Sequence, residues 1–157
     1  MIDKPFVGHV VKPVVKILNK SNNDLPSYAH PTDSGMDIRA FLDKDCVLKP
    51  FERKLIPTGI YLEIPEGFEA QVRPRSGLAL KKGLTVLNSP GTIDEGYRGE
   101  IGVILINLSG EDQVISPGEK IAQLVLARVE HCDLIEAEFI SKNTDRGDTG
   151  YGDSGRF

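Results

Sequence analysis

Apolar side chains come in short runs along this chain, with a period near two, and each run is cut off by glycine, proline or charged residues. Alternation over roughly four to eight residues marks a half-buried strand. The pattern predicts strands over residues 14–18, 46–48, 54–56, 60–64, 68–72, 99–107, 113–115 and 121–126. Met36, Ile38 and Ala40 alternate with Asp37 and Arg39, which adds a strand with one polar face. Within 99–107 the run Val103-Ile104-Leu105-Ile106 has no polar member and predicts burial on both faces. One stretch, 76–83, favours a short helix, with Ser76 as its N-cap and Lys81, Lys82 and Gly83 closing it. Residues 88–99 read as a β-hairpin with its tip near Glu95-Gly96. The fold class is all-β with one short helix.

Length then sets the scale. The 157 residues predict one main domain. Residues 1–13 read as an N-terminal extension and 14–142 as the β domain. Residues 143–157 read as a flexible glycine-rich tail, because four glycines and three aspartates there leave little to bury. Lys plus Arg is 19 against 23 for Asp plus Glu, a net charge of −4, so no global field favours a nucleic-acid backbone. No apolar run approaches the ~18 residues that span a membrane, and the first residues lack a signal-peptide core. The expected compartment is cytoplasmic. Cys46 and Cys132 form no metal pattern and are expected as reduced, buried thiols. Asn19 and Asn107 begin glycosylation sequons, discounted without secretion.

Four segments carry candidate chemistry. Arg73, Arg75, Lys81 and Lys82 surround Ser76 and Gly77, a combination that fits a phosphate cradle as well as an ordinary capped helix with solvated cations. Asp94 and Tyr97 flank the expected hairpin tip, where a carboxylate orients a water and a ring floors a sugar, or where both are plain turn chemistry. Asp37 and Gln123 each stand as polar residues between apolar strand neighbours. In the tail, Tyr151 is a lone aromatic among glycines, either disordered or a lid that stacks on a ring.

Taken together and in order, these segments resemble the five motifs of the trimeric deoxyuridine triphosphatase (dUTPase) family. They are SGMDIRA at 34–40, RPRSGLA at 73–79, NSPGTIDEGYRGEI at 88–101, GEKIAQLV at 118–125 and RGDTGYGDSG at 146–155. The resemblance implies a jelly-roll-like β-barrel, assembled as a homotrimer with shared active sites. It also implies hydrolysis of dUTP to dUMP and pyrophosphate by water attack at the α-phosphate, which limits uracil incorporation into DNA and supplies dUMP for thymidylate synthesis. Asp94 then matches the carboxylate that activates the water, and Tyr97 the ring that leaves no room for a 2′-hydroxyl. Asn88, Gly91 and Ile93 match the reader of the uracil edge. Arg75, Ser76, Gly77 and Gln123 match phosphate ligands, Asp37 a supporting residue, and Arg146 and Tyr151 the tail that closes over the base. The tail departs from the family in Asp153, a negative charge where the motif has serine. Mg²⁺ is expected to arrive on the nucleotide phosphates, with no protein metal site. No nucleic acid or membrane is expected as a partner. Rival readings are a dCTP deaminase on the same fold, a non-catalytic nucleotide-binding protein and a structural jelly-roll oligomer.

Overall fold

The alternating pattern becomes eleven strands and one helix in the computed structural model, which describes residues 12–145, Gly147 and Asp148. In chain order they are β1 (Lys16–Asn19), β2 (Met36–Arg39), β3 (Cys46–Leu48), β4 (Arg53–Pro57), β5 (Ile60–Glu63) and β6 (Phe68–Arg73). Then come α1 (Ser76–Lys82), β7 (Leu84–Val86), β8 (Gly91–Ile93), β9 (Gly102–Asn107), β10 (Gln113–Ile115) and β11 (Lys120–Arg128). Every pairing is antiparallel: β1 with β5, β10 with β3, the order β2-β11-β6-β8, and the order β4-β9-β7. Short strands in several small sheets wrapped around one core make the jelly-roll-like barrel expected of the chain. The core is aliphatic, with Ile38, Leu48, Ile56, Val103, Leu105 and Ile115 all but removed from solvent.

Two polar side chains share that core, and both are fully bonded, as burial requires. Thr58 Oγ1 donates to Ile101 O and accepts from Ile60 N. Asn107 Nδ2 donates to Leu48 O and Glu111 O, while its Oδ1 accepts from the amide and hydroxyl of Ser109. The sequon asparagine Asn107 is therefore a core brace, with no surface for a glycan.

Four expectations are corrected. The hairpin over 88–99 does not form, because β8 pairs with β6 whereas β9 pairs with β4 and β7. The turn instead hands the chain from one sheet to another. The run 103–106 is buried on one face only: Val103 and Leu105 point inward, and Ile104 and Ile106 are half-buried on the outer side of β9. Ser76 is not the N-cap. Arg75 holds that position in extended backbone with no side-chain cap, because Arg75 O already accepts the first helical bond, from Ala79 N. The thiols are not both buried, since Cys46 is half-buried and Cys132 exposed. Gly83 ends α1 as expected, at φ 63°.

After β11 the chain runs on without a strand to the end of the described residues. Leu134, Ile135, Phe139 and Ile140 on this arm are 80–93% exposed. No described helix is long and apolar enough to cross a membrane.

Candidate active site

The candidate residues gather in two groups. The first is built across β2, β11 and β6, whose register sets Gln123 opposite Asp37 on one side and Arg73 on the other. Arg75 reaches back from the start of α1, and its Nε donates to Asp37 Oδ1 at 2.9 Å. Lys120 Nζ meets Asp37 Oδ2 at 2.8 Å. Arg75 Nη1 donates to Lys120 O at 3.1 Å, which closes the three residues into a ring. Burial of Asp37 favours its protonated form, but the bond from Lys120 and the Arg75 guanidinium outweigh it and hold the carboxyl below the usual range.

Lys120 is absent from the sequence-based candidates for a geometric reason. In a regular strand, residues three apart lie on opposite faces, so a reading that puts Gln123 on the polar face puts Lys120 in the core. A bulge between Lys120 and Ala122 breaks the alternation, so Ile121 and Ala122 are both buried while Lys120 and Gln123 are both half-exposed. Lys82, by contrast, turns away to Glu119 Oε1 at 2.6 Å, and Arg73 folds onto Gln71. Of the four cations near α1, Arg75 is the one tied to Asp37.

Ser76, freed from capping, and Gly77 stand at the mouth of this group. A side chain added at Gly77 would meet nothing within 4 Å, so packing leaves the space before it open. Gly35 is different: a Cβ there would come within 3.3 Å of the Gln123 side chain, so this glycine makes room for it.

The second group sits where β8 ends. Tyr97 N donates to Asp94 O at 3.0 Å, closing a turn. Glu95 Oε2 accepts from Gly67 N, and Arg98 Nη1 donates to the carbonyls of Glu95 and Tyr97. Tyr97 lays its ring over Gly99, and its hydroxyl donates to Glu100 O at 3.1 Å. Glu100 Oε1 accepts from the amides of Thr58 and Gly59. A cavity of about 370 Å³ opens here, lined by Leu55, Ile93, Asp94, Tyr97, Glu100 and Ile104. Asn88 sits close by Gly91, its Nδ2 at 3.3 Å from where a Cβ would stand.

One chain does not bring the two groups together. The β6–β8 register pairs Ala70 with Ile93, so its next step sets Asp94 beside Glu69. Arg75 lies beyond Arg73, at the far end of β6. The stretch from Glu69 to Arg73 alone spans about 13 Å at ~3.3 Å per residue. Arg146 and Tyr151 lie outside the described residues.

A resident metal finds few donors in this arrangement. Among the described residues there is no group of three or more His, Cys, Asp or Glu side chains. Both oxygens of Asp37 are already engaged by cations.

The dUTPase family model matches residues 21–155. The chain is 53% identical over 141 residues to the deoxyuridine 5'-triphosphate nucleotidohydrolase of Finegoldia magna, covering 90% of this chain and 98% of that protein. It is 57% identical over 128 residues to the enzyme of the same name from Aquifex aeolicus, covering 82% of this chain and 85% of that one. Among solved structures, the dUTPase of Staphylococcus bacteriophage 80alpha with dUpNHpp superposes with a TM-score of 0.78 at 27% identity, over 92% of this chain and 99% of that one. The dUTPase of phage phi11 of S. aureus, which coordinates a structural Mg(II) ion, superposes with a TM-score of 0.72 at 27% identity, over 81% and 98%.

Proposed function

The chain belongs to the dUTPase family, and from that premise we propose how its own residues carry out the reaction. The protein is a dUTP nucleotidohydrolase, an enzyme that converts dUTP and water to dUMP and pyrophosphate. Residues 14–142 form the catalytic unit, residues 1–13 an extension and residues 143–157 the closing tail.

In this reading Asp94 takes a proton from a water as its oxygen attacks the α-phosphorus. The bond from that phosphorus to the bridging oxygen of the β-phosphate breaks, and pyrophosphate leaves with the electron pair. Proton transfer of this kind contributes about 10²–10⁴-fold, and the remainder falls to positioning and charge. Asn88, Gly91 and Ile93 read the uracil edge, and Tyr97 packs against the deoxyribose. Arg75, Ser76, Gly77 and Gln123 hold the phosphates, with Asp37 orienting Arg75. The substrate is the magnesium complex of dUTP. The ion stays on the phosphates and neutralises part of their charge, in keeping with the cation-saturated Asp37. Arg146 and Tyr151 close over the base.

The distance between the two groups supports a shared site, in which a second copy of the chain supplies the phosphate-binding half to the Asp94 half. The exposed apolar side chains of the arm, Leu134 to Ile140, support an assembly in which they are covered, and the proposed assembly is a homotrimer. A nucleotide substrate places the protein in the cytoplasm.

The observation that carries the reading is the setting of Asp94 and Tyr97 on one cavity wall, within a chain that matches the family over most of its length. Incubation with dUTP, dCTP, dTTP and UTP plus Mg²⁺ tests it. Pyrophosphate release from dUTP alone is the expected result. Ammonia from dCTP instead would identify a deaminase.

A further inference from the structure

We propose that Lys120 is a positioning residue that keeps Asp37 from capturing Arg75, so that part of the guanidinium stays available to an anion. A guanidinium and a carboxylate prefer a bidentate fork, in which two N–H groups meet two oxygens. Asp37 and Arg75 do not form it. Oδ1 takes Nε alone, at 2.9 Å, and Oδ2 is held at 2.8 Å by Lys120 Nζ. The main chain of the same lysine then takes Nη1, at 3.1 Å. Arg75 Nη2 has no hydrogen-bond partner among the described residues. Lys120 thus fixes the plane of the guanidinium twice, through its ammonium acting on Asp37 and through its carbonyl.

The bulge in β11 exists at the position this arrangement needs. Without it Lys120 would face the core, and Asp37 would have one cation rather than two. Removal of the ammonium lets Asp37 rotate onto both Nε and Nη2. Arg75 is then spent on the protein, and anion binding weakens with no change to the turn that carries Asp94.

The inference rests on the phosphate-binding role proposed for Arg75. Its test compares wild type, Lys120→Met, Lys120→Arg, Asp37→Asn and the double variant Lys120→Met/Asp37→Asn. The readouts are the KM and kcat for dUTP, the dissociation constant for inorganic triphosphate and that for deoxyuridine. Lys120→Met is expected to raise KM and weaken triphosphate binding about tenfold, the scale of one charge-assisted hydrogen bond, with kcat within about twofold. Deoxyuridine binding stays unchanged, and Lys120→Arg restores the rest. In the Asp37→Asn background, Lys120→Met adds little, because no carboxylate remains to make the fork. Additive losses in the double variant would overturn the proposal, since Lys120 would then act on the anion directly. Unchanged KM in Lys120→Met, or equal loss of deoxyuridine binding, would overturn it too. Failure of the wild type to turn over dUTP would strike the enzymatic reading, and the triphosphate arm would still decide the role of Lys120.

Discussion

The two halves of the candidate site are built on different physics. The Asp37–Arg75–Lys120 half is a network of charged side chains drawn from β2, the start of α1 and β11. Its members are far apart in the chain and meet only because sheet register and one bulge bring them to the same face. The Asp94–Tyr97 half is a local turn, held by its own backbone and by contacts from Arg98, Gly67 and Glu100. One half is preorganised by charge and the other by covalent proximity. They are therefore expected to fail differently: the first loses substrate affinity in graded steps, the second loses chemistry.

The sharpest break in that comparison is Asp94→Asn. It keeps the turn and the binding of dUTP but loses the base, so turnover falls about 10²–10⁴-fold with little change in affinity for a non-hydrolysable analogue. Loss of binding in parallel would give Asp94 a role like that of the other half. A charge on the arm comes next, because it separates the halves without touching either. Phe139→Asp with Ile135→Asp is expected to yield a smaller species in sedimentation, with activity lost and the thermal midpoint of the barrel retained. Full activity in a monomer would show that one chain makes a whole site.

Tyr97→Ala is a smaller effect and a selective one. Removing the ring opens space beside the sugar, and discrimination against UTP is expected to relax about tenfold to a hundredfold, the range set by shape alone. Competition kinetics with UTP and dUTP measures it. The smallest effect is the pH response of the first half. The Asp37 carboxyl is held below its ordinary range in the fold, so the stability it adds is present above the unfolded value near 3.8 and is lost as pH falls through the lower folded value. Thermal midpoints of wild type and Asp37→Asn are expected to converge as the pH drops below about 4.

Much of the barrel was legible in the alternation of its side chains. The strands at 46–48 and 113–115 stand where the pattern puts them, and the helix at 76–82 ends at its glycine as read. Strands that pair at an edge moved more: the first begins at Lys16, because the length of its partner β5 rather than its own apolar run sets its limits. The turn around Asp94 was legible, and its partner strand was not. Turn chemistry is written in neighbouring residues, whereas the choice of β6 over β9 as the partner of β8 is a property of the sheets.

What the chain alone determined was the β class, the short helix and the residue types able to handle a phosphorylated pyrimidine. Those follow from periodicity and from side-chain chemistry, which act over a few residues. What the tertiary structure decided was the company these residues keep. Lys120 joined Asp37 through a bulge, Lys82 left for Glu119, and Asp94 came to stand a strand's length away from Arg75. The reason is that a side chain's face, and hence its charge partner, depends on register across strands, and a shift of a single residue reverses it.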